Sequence, residues 1–338
     1  DMVFNKKRAN DRKIWLGNYN RTLKLDTAHT SVSYTDFVDK EMIHFSKYDN
    51  DRSIPNILDG LKKSLRKILF SAFKKNLTTE IKVAQFSGYV SEHSGYHHGE
   101  ASLNGAIVNM AQNYVGSNNI NLFMPNGQFG TRLQGGKDSA SERYIFTMLN
   151  PATRLIYLKQ DDPVYDYIDD DGQIVEPIFY APIIPMILVN GSKGIGTGFS
   201  TDIPSYNPKT IISKIKFKLG KTSENPELVP YYKNFTGIIT KVDTHKYICQ
   251  GVYEKPKENY IKVTELPIGI WTDDYKQYIE GLIDKKNTIK DYTDMSTESK
   301  VDVTIQFYPG VIAKLESKKL EYGCNDLEKT LKLVNTIN

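Results

Sequence analysis

Five places in the 338-residue sequence hold side chains that bind ligands or react. The run Gly191-Ser192-Lys193-Gly194-Ile195-Gly196-Thr197-Gly198 has the glycine density of a phosphate-cradling loop. It lacks the GxxxxGK[ST] order of a P-loop, and Phe199 stands where a dinucleotide fingerprint needs its third glycine. Asp169-Asp170-Asp171-Gly172 resembles part of a calcium loop, yet Tyr167 and Ile178 occupy the first and twelfth ligand positions. His97-His98 is a close histidine pair, but adjacent side chains do not easily share a metal when no third and fourth ligands are supplied. Cys249 and Cys324 lie far apart, which excludes a disulfide framework and structural zinc and makes a reducing compartment the default. The last place is the polar, glycine-rich stretch Ile120 to Arg143, with Gly127, Gly130, Gly135 and Gly136. It reads as an exposed, functional loop that ends in the pair Arg143-Tyr144.

Helices must present these groups. From Ile57 the apolar residues Leu58, Leu61, Leu65, Ile68, Leu69, Ala72 and Phe73 recur at helical spacing. Lys62, Lys63, Arg66, Lys67 and Lys74 fill the other side, so one face meets a core and the other meets anions. A short helix from about Lys82 to Val90 runs into Ser94-Gly95-Tyr96-His97-His98-Gly99-Glu100, and another spans about Glu100 to Tyr114. Helix, tight turn, helix is the outline of a DNA-reading unit, although most such pairs only pack. Upstream, a basic amphipathic start and a Ser/Thr-rich linker from Thr27 to Thr35 precede a helix near Tyr34 to Phe45. Downstream of Asn207, strand-like runs (Phe235 to Val242, Tyr247 to Tyr253, Tyr260 to Glu265, Val301 to Phe307) alternate with helical ones (Asp273 to Lys285, Leu327 to Val334). That alternation predicts a mixed α and β unit with its own core.

Charge follows the same division. The net charge is +4, but residues 51–155 carry 12 basic and 7 acidic side chains while residues 156–338 carry 23 and 26. A basic surplus near the helices fits a polyanion, and charge alone fits a solvated face equally well. The nearly apolar run from Tyr180 to Val189 is ten residues with two prolines, far short of the ~20 that a membrane-spanning helix needs.

Several strings, in this order and spacing, closely resemble the breakage-reunion region of type IIA DNA topoisomerases of the eukaryotic and large-DNA-virus kind. They begin with Lys6-Lys7-Arg8, Arg52-Ser53-Ile54-Pro55, Tyr96-His97-His98-Gly99-Glu100 and Ala111-Gln112-Asn113. They continue through Gly116-Ser117-Asn118-Asn119, Asn126 to Arg132, Gly135 to Phe146, Ile183 to Met186, Gly194 to Gly198, Leu266-Pro267 and Trp271-Thr272. The resemblance implies a mixed α and β fold, a winged-helix (helix-turn-helix) domain followed by an α/β tower domain. Its implied boundaries are 1–40 for a linker and helix after a missing metal-binding domain, 41–175 for the winged helix with the catalytic tyrosine, and 176–338 for the tower with a DNA-bending wedge.

The same resemblance implies the roles of residues. Tyr144, one of 22 tyrosines, matches the nucleophile that attacks a DNA phosphodiester and leaves a 5′-phosphotyrosyl bond. A phenol of pKa ~10 is mostly protonated at neutral pH, and Arg143, Arg52 and His98 match the cationic groups that assist it. Lys62, Arg66, His97, Gln128, Lys137 and Ser139 match DNA-contacting positions, and Ile195 matches the apolar wedge inserted between base steps. Lys63-Ser64 stands where the family commonly has Pro-Gly, and Glu142 where it has proline. Magnesium and ATP are expected to bind outside these residues, in the full-length enzyme, with no metal site in this chain. The expected partners are double-stranded DNA and a second copy of the full-length enzyme, with no membrane, in the nucleus or at a viral replication site in the host cytoplasm. The alternative is a helix-turn-helix DNA-binding module without chemistry.

Overall fold

A computed structural model describes residues 1–26, 28, 30–283 and 288–338. The first helix, α1 (Ala9–Gly17), lies against a longer one that begins as α2 (Tyr34–Phe37), passes through a wider turn (Val38–Met42) and continues as α3 (Ile43–Ser53). This helix therefore runs beyond the Phe45 expected from sequence and carries Arg52 in its last turn. Thr27, in the expected linker, lies outside the described residues.

The first core is built on α4 (Lys63–Lys75), preceded by a turn in which Gly60 adopts a left-handed φ of 71°. That turn is why the helix starts at Lys63 and not at Ile57. Strand β1 (Ile81–Lys82) leads into α5 (Val83–Ser94), and α6 (Glu100–Ala111) ends before Gln112, three residues short of the expected Tyr114. Ile68, Leu69 and Ala72 of α4, Val83, Phe86 and Val90 of α5, and Leu103 and Ile107 of α6 are all buried. Their three- and four-residue spacing gives each helix one apolar face toward a shared centre. Strand β2 (Phe146–Thr147) pairs with β1, short helix α7 (Thr153–Ile156) follows, and the hairpin β3 (Tyr167–Asp170) and β4 (Gln173–Pro177) packs on α4 and α5 as the wing. Short helix α8 (Met186–Val189), the hairpin β5 (Ser192–Ile195) and β6 (Ser200–Ile203), and α9 (Pro208–Lys218) come next. Tyr180, Met186, Val189 and Ile211, beyond the expected boundary at 176, belong to this first core.

The second core lies in the tower. Strands β7 (Ile238–Asp243), β8 (Lys246–Gln250), β9 (Val252–Lys257) and β10 (Tyr260–Glu265), helix α10 (Thr272–Ile283), and strands β11 (Ile289–Asp294) and β12 (Val303–Phe307) run in sequence. They are followed by α11 (Val311–Ser317), α12 (Asp326–Thr330) and β13 (Val334–Ile337). The sheet order β11-β12-β10-β9 is antiparallel throughout. Its alternate residues Ile261, Val263, Val303, Ile305 and Phe307 are buried under Tyr275 and Ile279 of α10. The second sheet is β13-β8-β7. Two expectations change here. The run Tyr247 to Tyr253 splits at Gly251 into β8 and β9, which belong to different sheets, and a Cβ at Gly251 would run into the Glu265 carbonyl oxygen. The helix expected over Leu327 to Val334 stops at Thr330, and Val334 starts a strand paired with Gln250. Lys285, the expected end of α10, lies outside the described residues.

Candidate active site

The Arg143-Tyr144 pair is held by its backbone. The first N–H groups of any α-helix lack partners within it, and no side chain caps α5. Instead Val83 N–H donates to the Ile145 carbonyl at 3.0 Å and Ala84 N–H to the Glu142 carbonyl at 3.1 Å. A tight turn closes between them, with Tyr144 N–H on the Ser141 carbonyl at 2.9 Å. Ile145 is buried beneath the turn and pairs in space with Gly127. The backbone is thus fastened on both sides while the Tyr144 side chain stands 76% exposed. Arg143, also exposed, lines an open groove of about 610 Å³ with Ser139, Glu142 and the Glu100, Ala101, Asn104 and Gly105 side of α6.

A second hollow, of about 70 Å³, gathers Tyr48, Asp51 and Arg52 from the end of α3, Lys63, Ser64 and Lys67 from the start of α4, and Tyr96 and His98 from the turn between α5 and α6. Gly95 and Gly99, at φ 59° and 85°, shape that turn. The Tyr48 hydroxyl is 2.8 Å from His98 Nε2. Burial, and then the charges of Arg52, His97, Lys63 and Lys67, hold the His98 pKa below its ordinary value. A neutral imidazole can donate to a phosphate oxygen without adding charge to an already cationic hollow. The structure brings Arg52 and His98 together. Arg143 lines the separate groove along α6, and Tyr144 lines neither hollow.

The remaining expected residues divide by exposure. His97 and Lys137 are exposed and Ser139 is half-buried. Lys62 is the residue before the first turn of α4, half-buried, and burial lowers its ammonium pKa. Gln128 donates to Glu298 of the tower at 3.3 Å. Ile195, at the end of β5, is 75% exposed.

Two expectations are corrected. Arg66 and Lys67 do not face outward toward anions. Arg66 is buried and makes hydrogen bonds of 2.6 and 3.1 Å to the carboxylate of Asp59, and Lys67 is buried against Glu176. The loop from Ile120 to Arg143 is not a free surface either: Phe129, Thr131 and Arg132 are buried, and Arg132 pairs with Glu265 of the tower. Gly194 and Gly196, in the β5–β6 hairpin, lie close against α3. A Cβ on the first would meet the Ser53 carbonyl oxygen, and one on the second the Asn50 side chain.

Sequence reasoning missed Tyr48, Lys63, Ser64 and Lys67 as walls of the hollow, and Trp271, which fills the space over Gly116 and Gly135. Tyr48 had a findable signal, since it stands one helical turn before Arg52. Among the described residues no three His, Cys, Asp or Glu side chains gather as a metal cluster requires.

Residues 52–338 match the family of DNA gyrase/topoisomerase IV A-type subunits, and residues 1–50 match the C-terminal associated domain of TOPRIM. The chain is 47% identical over 340 residues to the DNA topoisomerase 2 of Plasmodium falciparum (isolate K1 / Thailand), covering all of this chain and 24% of that protein. It is 53% identical over 286 residues to the Arabidopsis thaliana DNA topoisomerase 2, covering 83% of this chain and 19% of that protein. The chain thus spans about a quarter or less of the length of the curated relatives it matches. The crystal structure of the Plasmodium falciparum topoisomerase II DNA-binding, cleavage and re-ligation domain superposes with a TM-score of 0.89 at 47% identity, covering all of this chain and 45% of that one. With the match extending from Arg52 to the last residue, across both cores, the chain belongs to the DNA gyrase/topoisomerase IV family of A-type subunits.

Proposed function

We propose that this chain is the DNA-binding and cleavage part of a type II DNA topoisomerase, with Tyr144 as its nucleophile. The single observation that carries the assignment is an exposed phenol on a turn fastened by the start of α5 and adjacent to Arg143. The Tyr144 oxygen attacks a backbone phosphorus, the phenolic proton leaves, and the bond to the 3′ oxygen breaks, giving a 5′-phosphotyrosyl link and a free 3′-hydroxyl. Return attack by that hydroxyl reverses the step and restores the strand. Arg143 stabilises negative charge on the phosphate near Tyr144, and the Arg52 and His98 hollow receives a phosphate oxygen in the transition state. His97, Lys62, Lys137, Gln128 and Ser139 contact the duplex. Ile195 enters a base step and bends it. In the whole protein, which acts as a homodimer, magnesium and ATP are bound by segments other than these residues, and paired cleavage events let one duplex pass another, relaxing and decatenating DNA. A nuclear location is the reading that the eukaryotic relatives support, although one of them, from Dictyostelium discoideum, is named mitochondrial.

A module that only binds DNA leaves the fastened Arg143-Tyr144 turn without a use. The deciding experiment supplies the remaining segments of the protein, magnesium and supercoiled DNA, and traps covalent complexes with detergent. Tyr144→Phe is expected to bind DNA normally and form no adduct; an undiminished adduct in that variant sinks the assignment.

A further inference from the structure

The side chains of Lys67 and Glu176 are 9% and 0% exposed, and the steps above use neither. Stability alone is a weak reason to bury such a pair, because apolar residues of similar volume often serve as well. What the pair joins is more informative. Lys67 Nζ donates to Glu176 at 2.7 Å and also to the carbonyl of Ser94. Ser94 is the last residue of α5, and the chain turns directly from it through Gly95 into Tyr96, His97 and His98. Lys67 is at the same time a wall of the hollow that holds His98 and Arg52. Glu176 belongs to β4, and its hairpin meets the end of α5 at two further points. Gln173 donates to the Glu92 carbonyl at 3.3 Å, and a Cβ on Gly95 would come within 2.7 Å of the Asp170 carboxylate.

We propose that Lys67 and Glu176 are positioning residues that tie the β3–β4 hairpin to the turn bearing His98, so that the hairpin's placement sets the placement of His98 beside Arg52. This rests on the reading that the hollow receives the phosphate. Groups facing His98 come from three elements: Tyr48, Asp51 and Arg52 on α3, Lys63 and Lys67 on α4, and Tyr96 and His97 on its own turn. The Lys67 charge contributes to the low pKa of His98, and a carboxylate paired with that ammonium carries the charge of opposite sign. Loss of either charge therefore acts on His98 with opposite sign.

The test follows the His98 ring signals by NMR across pH and measures adduct yield and DNA affinity in the reassembled protein. Lys67→Met is expected to raise the His98 titration midpoint and Glu176→Gln to lower it. Both should reduce adduct yield by about tenfold or more while affinity changes little, as for groups that act in the transition state. A double variant, Lys67→Met with Glu176→Leu, leaves no orphan charge and keeps the question answerable if a single variant fails to fold. Midpoints that do not move, or move in the same direction, overturn the proposal, as does a full adduct in the folded double variant. If Tyr144→Phe retains the adduct, the functional reading fails instead, and the titration arm still decides whether the pair acts on His98.

Discussion

An imidazole partly buried, and held among Arg52, His97, Lys63 and Lys67, resists protonation, and this has a consequence for stability as well as for chemistry. The folded pKa of His98 lies below its unfolded value, so the unfolded chain takes up the proton first as pH falls. The resulting cost is absent well above the unfolded pKa of about 6.5, grows as pH drops below it, and becomes constant beneath the folded pKa. His98→Gln is therefore expected to flatten the loss of stability on acidification, which denaturant titrations at a series of pH values will measure. Ile195 gives a contrasting case. Removing a fully buried isoleucine side chain costs about 2–5 kcal/mol, but Ile195 is 75% exposed, so Ile195→Ala should change stability by less than about 0.5 kcal/mol. If it is the wedge, the same variant reduces DNA bending, read by energy transfer between dyes at the ends of a short duplex. A wild-type bend in the folded variant would assign the role elsewhere. The exposure of Ile195 was legible in the sequence, where an isoleucine between two glycines is odd as a core residue and sensible as a projecting tip. The structure gives those glycines a packing reason, contact with Asn50 and Ser53, that does not depend on DNA.

Along α4 the apolar stripe was readable because burial imposes the helical period on Ile68, Leu69 and Ala72. The basic side was not, since a lysine or arginine has the same letter whether it faces water or a buried carboxylate. Asp59 lies seven residues before Arg66, and Glu176 lies 109 residues after Lys67, so only the fold brings the second pair together. The distinction separates two substitutions that look equivalent. Lys62→Ala removes a half-buried cation at the start of the helix. It should lower the slope of log affinity against log salt by about 0.9, the value for one phosphate contact, with little effect on folding. Arg66→Met should instead leave Asp59 buried without its partner and destabilise the protein by about 3–5 kcal/mol, with the salt slope of the surviving folded protein unchanged. Asp59 also accepts the N–H groups of Leu61 and Tyr180, so its carboxylate organises the turn before α4 and cannot simply move to water. Thermal unfolding with parallel salt titrations checks both. A reduced salt slope in Arg66→Met would return that residue to the DNA surface.

The two cores are joined at the glycine-rich loop between Asn126 and Tyr144. Arg132 forms a buried ion pair with Glu265, whose other oxygen accepts both the N–H and the hydroxyl of Thr236. The carbonyls of Arg132 and Leu133 accept the N–H groups of Thr272 and Asp273 at the start of α10, as Glu142 and Ile145 do for α5. One loop therefore caps a helix in each core, and its far end carries Tyr144. Trp271 closes the joint by packing over Gly135, Gly116 and the edge of Tyr114. Gly135 is at φ 61°, a conformation that favours glycine, and a Cβ there would run into the Trp271 ring. Gly135→Ala thus combines backbone strain with overpacking, each of which costs about 1–3 kcal/mol. Because the damage falls between the cores and not inside either, it should weaken their coupling more than their individual stability. Calorimetry is expected to show the unfolding of the variant broadening or splitting into two transitions, with Trp271 emission shifted to longer wavelength as its ring gains solvent. Adduct formation at Tyr144 should fall in parallel, since the loop that fixes the turn loses its anchor on the tower. A single transition at the wild-type temperature would mean that the two cores do not depend on this joint, and the placement of Tyr144 would then rest on the α5 hydrogen bonds alone.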